Sequence, residues 1–373
     1  EHTPCKGKDK TFHPLFSTMF PRGRRKMPSP FYTIFCAMGF AKNGMGKTAI
    51  SLEKVHKNRR PAFAFPHRLC YNLGRKFPPL GKKGLVNVMA LKVGIQLYSV
   101  RDEMAKDPVE AIRQVAEIGY KNLEVANSRA AEDPGVGFDV PADKLLEILG
   151  GFGAKVVSSH ISPINEETLP AIMEYHGKIG NKYIGQSADF FADYDALQRP
   201  CEYYNKMGKI LSQNGMKFLY HNHYHEFQNM NGQYILYQIA ENTDPDYVDF
   251  EVDTFWAMRG GADPVEVINH LGKRLRMIHQ KDFSKTTDSP INIFSVKDPN
   301  VIVTRDTFGG VHKREDFCEV GTAIMPIQEI LDAANAQGAE YVILEQDFTQ
   351  LSQMESVKIS MDSFHKYNGI EWD

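Results

Sequence analysis

From Met89 onward, short runs rich in β-branched and aromatic residues alternate with amphipathic helical stretches, and most connections are short. The strand-like runs are 92–99, 122–125, 155–160, 182–186, 217–221, 247–253, 276–280 and 341–346. Strands separated by helices return to the same edge and pair parallel. Eight such units close a barrel, and the stretch 89–373 is long enough for one. The expected fold is therefore α/β, a (β/α)8 barrel.

The helices carry their own boundaries. Asp107-Pro108 supplies an N-cap and a proline in the first turn. Val109, Ile112, Val115 and Ala116 form the apolar stripe, and Gly119 ends it. Asp263-Pro264 followed by Val265, Ile268, Leu271 and Gly272 repeats the design, as does Pro326 with Ile327, Ile330, Leu331, Ala334 and Gly338. One connection, 283–325, is far longer than the rest. Loops of that length are functional or disordered, and this one is expected to cover the barrel mouth as a lid or substrate-binding element.

Residues 1–88 belong to another compositional regime. They hold 18 Lys and Arg against three Asp and Glu, whereas the remainder carries an excess of 17 acidic groups. The stretch lacks sustained periodicity. It reads as a disordered basic extension outside the functional domain, with the working chain starting at Met89. Its apolar run, 31–40, is too short to span a bilayer. Gly44-Met45-Gly46-Lys47-Thr48 fits a relaxed phosphate-loop pattern, but neither a following periodic helix nor a Mg-binding acidic strand accompanies it. Five cysteines without paired spacing argue against a disulfide framework, and the expected location is cytoplasmic.

Chemistry-bearing residues gather at strand ends. Asp253, His279 and Glu345 end the sixth, seventh and eighth strands in the same phase. At the C-terminal rim of a parallel barrel, such a series predicts a divalent metal. Imidazole with carboxylate suits Mn, Co, Mg or Zn. Around the fifth strand, His221, His223, His225 and Glu226 fall within six residues. His221 and His223, two apart, should share a face and point into the mouth. Both are candidates for proton transfer, as are Glu345 and His160, which ends the third strand. Tyr98, Glu124, Trp256 and Lys281 are candidates for contacting substrate.

These motifs resemble the xylose-isomerase-like barrel superfamily, the sugar phosphate isomerase/epimerase group that includes inosose dehydratases and apurinic endonucleases. The resemblance rests on Gly94-Ile95-Gln96-Leu97-Tyr98-Ser99, residues 221–227, Asp253-Thr254-Phe255-Trp256, Asp263-Pro264, His279-Gln280-Lys281-Asp282, Glu319-Val320-Gly321 and Leu344-Glu345-Gln346-Asp347. It implies a metal held by Glu, Asp, His and Glu from the fifth to eighth strands. Asp253, His279 and Glu345 match. At the end of the fifth strand stands His221, so the expectation is that Glu226 supplies the first carboxylate from the loop, with His221 as the alternative ligand. The implied chemistry is metal-assisted removal of a proton beside a carbonyl of a sugar or keto-sugar, giving an isomerase or epimerase. If neither residue replaces the usual glutamate in acid/base work, the alternative is a dehydratase or lyase on a keto-inositol or 3-keto-glycoside. A non-catalytic sugar-binding barrel is the other alternative. The acidic barrel argues against an apurinic endonuclease and against nucleic acid as a partner. The expected partner is an unphosphorylated sugar or polyol. No membrane partner is expected, and a homo-oligomer is allowed.

Overall fold

The computed structural model describes residues 90–298 and 301–372. The basic extension, its phosphate-loop-like stretch and the expected start at Met89 lie outside the described residues. Eight strands form a closed parallel barrel: β1 (Leu91–Gln96), β2 (Asn122–Asn127), β3 (Lys155–Ile161), β4 (Tyr183–Gln186), β5 (Lys217–His221), β6 (Val248–Asp253), β7 (Leu275–Gln280) and β8 (Tyr341–Leu344). β8 pairs with β1, setting Ile343 opposite Gly94 and Leu344 opposite Ile95. A Cβ on Gly94 would lie 2.5 Å from Ile343 Cδ1 and 2.6 Å from the Asn122 carbonyl. Glycine is needed there because the closing seam leaves no room for a side chain.

A helix follows each strand: α1 (Pro108–Ile118), α2 (Ala142–Gly151), α3 (Leu169–Lys178), α4 (Tyr194–Gln213), α5 (Ile235–Glu241), α6 (Pro264–Leu271), α7 (Ile327–Gln337) and α8 (Gln353–Phe364). The expected caps form. Asp107 accepts from the N–H groups of Val109 and Glu110 at 3.1 and 3.0 Å. Asp263 accepts from Val265 at 2.8 Å. Each such cap contributes about 1 kcal/mol. Gly119 and Gly338 end α1 and α7 with φ of 122° and 83°. Ile112 and Val115 of α1 are fully buried beneath the helix, each stabilising by roughly 1.5–3 kcal/mol.

Alternation along the strands divides the barrel interior into layers. Val157, Tyr183, Leu219, Met277 and Ile343 make an apolar plug. Two residues further along come His221 on β5, His279 on β7 and, just past the end of β8, Glu345. The plug closes the floor, and the polar layer opens only toward the C-terminal rim.

Two strands end sooner than the sequence suggests. β1 stops at Gln96, whose side chain accepts from the Tyr98 N–H at 3.2 Å and turns the chain into a 3₁₀ helix, Leu97–Val100. β8 stops at Leu344, and the Gln346 N–H donates to Ser99 Oγ at 2.9 Å instead of to a strand. Both endings leave rim residues, Tyr98 and Glu345, just past the strands, Glu345 keeping one backbone bond to the Gln280 carbonyl at 3.4 Å.

The described residues of the long connection after β7 form a strap. Its base is the antiparallel pair Asp282–Phe283 with Phe317–Cys318. The Asp282 carboxylate accepts five backbone N–H groups, from Phe283, Gly321, Ala323, Ile324 and Met325, at 2.8–3.1 Å. Gln228 clamps the strap from below: its Nε2 donates to the Val301 carbonyl and its Oε1 accepts from the Val303 N–H, at 2.9 and 2.7 Å. Phe308 then packs against Tyr224, His225 and His223, with ring centroids 5.2–5.4 Å apart. The strap therefore lies on the rim, as expected of a lid. Among the described residues, no helix is long and apolar enough to cross a membrane.

Candidate metal and proton-transfer site

β5 to β8 bring His221, Asp253, His279 and Glu345 together, with one potential ligand atom from each lying within 4.8 Å of the others. A second overlapping group joins His160, His221, Glu251 and His279. Apart from Glu345 and His160, each 8% exposed, these side chains are sealed from solvent.

The contacts form two tiers. In the upper tier, His279 Nδ1 lies 3.0 Å from Glu345 Oε2. The Lys281 ammonium donates to both Asp253 and Glu345 and stands 3.7 Å from Asp347. In the lower tier, Glu251 Oε2 meets His160 Nε2 at 2.5 Å and His221 Nδ1 at 3.2 Å, while Glu251 Oε1 lies 3.1 Å from His279 Nε2. Glu124 contacts the same His279 Nε2 and lies 3.4 Å from His160.

Burial alone would push every one of these histidines toward the neutral form. It is opposed at His279, where Glu251, Glu124 and Glu345 outweigh it and hold the imidazole well above its ordinary range. At Glu345, Lys281 and His279 overcome burial and hold the carboxyl well below its usual range. Asp347 goes the other way. Burial, with Glu345 and Asp253 adding to it against Lys281, pushes it up to about 7. His223 has no carboxylate at close range, and burial keeps it neutral, well below the ordinary range.

The donor set suits a divalent cation. Two imidazoles and two carboxylates converge. Glu124 Oε1, Glu251 Oε1 and Asp347 Oδ2 are shielded from solvent and lack a hydrogen-bond donor. Repulsion between carboxylates held about 5 Å apart is roughly 3–4 kcal/mol per pair at an effective dielectric near 20. The Lys281 ammonium, set between Asp253 and Glu345, shows that positive charge is what this place accommodates.

Several sequence expectations are redistributed. Glu226 does not join the group. It lies in a 3₁₀ turn, His225–Phe227, where its carboxylate accepts from the Tyr220 hydroxyl and the His223 N–H, both at 2.9 Å. Tyr220 faces outward from β5, so its partner is drawn away from the mouth; His221 occupies the position beside Asp253 and Glu345. His223 stays near the mouth, its ring 5.1 Å from that of His221 and 6.0 Å from Trp256. Its Nδ1 is shielded and without a partner. Asn222 turns away from it and pairs with the Asp253 backbone, donating to its carbonyl and accepting from its N–H, both at 3.2 Å.

Glu124, expected at a sugar pocket, is instead buried against His279. Lys281, expected on substrate, is buried between carboxylates. Tyr98 is half-buried beneath Arg101, whose guanidinium sits 4.3 Å above its ring. Glu251 was not singled out by the sequence. The signal was available: it lies two residues before Asp253 on the same strand and so on the same face.

A family model described as Xylose isomerase-like TIM barrel matches residues 112–366. The chain is 23% identical over 266 residues to an inosose dehydratase of Mesomycoplasma hyopneumoniae strain J, covering 68% of this chain and 86% of that protein. Among solved structures, a sugar phosphate isomerase/epimerase from Parabacteroides distasonis ATCC 8503 superposes with a TM-score of 0.59 at 22% identity, covering 79% of this chain and 100% of the other. The IolI protein with a binding zinc atom superposes with a TM-score of 0.55 at 14% identity, covering 74% and 97%. At these identities the two structures speak for the fold. The family match spans well over half of the sequence and includes the four clustered residues: the chain belongs to the xylose isomerase-like TIM barrel family.

Proposed function

We propose that this protein is a divalent-metal-dependent enzyme acting on an uncharged keto-sugar or keto-polyol, and that it eliminates water from it rather than inverting a carbon centre. The observation that carries this reading is the asymmetry of the mouth. Carboxylates Asp253 and Glu345 come from the ends of β6 and β8, whereas β5 and the residues after it bring only imidazoles, His221 and the unpartnered His223. An epimerase needs two acid/base groups on opposite faces of the substrate carbon. Glu226, the residue that could have paired with Glu345, is engaged with Tyr220 and the His223 backbone.

His221, Asp253, His279 and Glu345 would hold the metal, which supplies Lewis-acid polarisation of the substrate carbonyl. His223 is neutral, so its free Nδ1 accepts the proton from the carbon beside that carbonyl. As that C–H bond breaks, a C=C bond forms and the β C–O bond breaks. The hydroxyl leaves with the proton from His223 as water, and no net proton is consumed. The depressed basicity of His223 favours this second transfer. Trp256 offers an apolar face to the sugar carbons.

An uncharged substrate follows from the charge around the site. Glu124, Glu251, Asp253, Glu345 and Asp347 oppose a phosphate. Lys281 is spent on three of them, and Arg101 donates to the carbonyls of Tyr98 and Asp347 at 3.0 and 2.7 Å. The similarity to an inosose dehydratase and to a zinc-holding structure supports the reading.

The test is a panel of ketoses, keto-inositols and 3-keto-glycosides, with Mn, Co, Zn or Mg, in deuterated water. Metal-dependent water loss is expected. His223→Asn should retain metal and lower kcat by roughly 10²–10⁴-fold. Deuterium uptake with inversion and no elimination would overturn the dehydratase reading; activity indifferent to chelation would overturn the metal.

A further inference from the structure

We infer that Glu251 is the positioning residue of the site: one buried carboxylate fixes which nitrogen His160 and His221 present to the mouth. The inference rests on the metal reading only for its effect on affinity, and its structural content can be measured without metal.

Glu251 is fully buried on β6, two residues before Asp253 and so on the same face of the strand. An ionised carboxylate only accepts hydrogen bonds. Its Oε2 takes His160 Nε2 at 2.5 Å and His221 Nδ1 at 3.2 Å, while His279 Nε2, 3.1 Å from Oε1, makes its hydrogen bond to Glu124. Each of those nitrogens must therefore carry its hydrogen. At His221, a protonated Nδ1 leaves Nε2 as the nitrogen with a free lone pair. At His279, Glu124 holds Nε2, and Nδ1 is the nitrogen turned toward Glu345, 3.0 Å away. The two histidines on neighbouring strands thus present opposite nitrogens to the same place.

The rings support this division. His160, His221 and His279 lie with centroids 4.6–5.3 Å apart, so none can rotate without displacing another. Glu124 backs only two of the three, His160 and His279. For His221 the acceptor is Glu251, making this the ring most dependent on it. Carboxylates behind metal-binding imidazoles orient the ring and raise its basicity, and removing one typically weakens metal affinity 10–100-fold.

The experiment reads histidine tautomers and metal affinity separately. Long-range ¹H–¹⁵N spectra of the chelated protein with ¹⁵N-labelled histidine should show His221 protonated at Nδ1 and His160 protonated at Nε2. In Glu251→Gln, which keeps the size but loses the charge and one acceptor, His221 should lose that fixed pattern, and Co(II) affinity measured by chelator competition should fall 10–100-fold. An Nε2–H tautomer at His221 in the parent would overturn the inference, and that measurement needs no variant to fold. So would a folded Glu251→Gln protein with unchanged tautomers and Co(II) affinity. If the parent binds no Co(II) but has the expected tautomers, the metal-dependent function fails while Glu251 keeps its positioning role.

Discussion

His221 occupies the last position of the β5 ladder, and strand alternation carries its ring into the barrel; Glu226 comes five residues later, in a turn that faces away. This separation predicts opposite outcomes for two substitutions. His221→Ala should lower bound Zn(II) or Co(II) at least tenfold with the fold intact. Glu226→Gln should keep the metal but lose stability, because the Tyr220 hydroxyl and the His223 N–H share that carboxylate. Weakening such a buried acceptor costs about 1–3 kcal/mol. Metal analysis of the two variants, beside their thermal midpoints, checks both; metal lost from Glu226→Gln and kept in His221→Ala would reverse the assignment. The sequence made Asp253, His279 and Glu345 legible because each ends a strand in the same phase. It did not separate His221 from Glu226, since a loop residue's direction depends on its partner, and Tyr220 was not recognised as one. Glu251 was hidden for another reason. The two-residue period that paired His221 with His223 holds equally for Glu251 and Asp253, and following the period down β6 would have found it.

Elements were more legible than side-chain partners. Asp-Pro starts, apolar stripes and terminal glycines are local signals, and α1, α6 and α7 formed where those signals stood. The ends of β1 and β8 were misplaced because Gln96 and Ser99 replace ladder hydrogen bonds with side-chain ones, which hydrophobic pattern does not report. The strap was legible as a long connection, but its anchor was not. That anchor is Arg259, fully buried just after the turn carrying Trp256. It donates to the strap carbonyls of Pro290 and Val311, at 2.5 and 3.0 Å, and pairs with Asp316 at 3.2 Å. Removing one member of a buried pair typically costs 3–5 kcal/mol, since the other is left uncompensated. Arg259→Met should therefore lower the thermal midpoint and expose 283–325 to limited proteolysis, with KM raised more than metal affinity. Cleavage no faster than in the parent would mean that the Asp282 and Gln228 contacts hold the strap without it.

At the scale of the whole molecule, the barrel is complete within its own residues. β1 finds its neighbours in β2, β8 and the C-terminal pair Ile370–Glu371, and the Leu91 N–H donates to the Gly369 carbonyl at 3.0 Å. A chain beginning at Met89 is therefore expected to fold. The competing consideration is charge. Residues 89–373 carry an excess of 17 acidic groups and residues 1–88 an excess of 15 basic ones, so the extension could stabilise the barrel by neutralising it. Salt separates the two cases, because charges farther apart than a Debye length of about 8 Å at 0.15 M are largely screened. If the barrel stands alone, the full chain and the chain from Met89 should melt within about a degree or two of each other at both roughly 0.02 and roughly 0.5 M salt. If the extension acts as a counter-charge, the full chain should melt higher at low salt and lose that advantage at high salt. A truncated chain that fails to fold at either concentration would place part of the barrel's stability in residues 1–88 and refute the prediction.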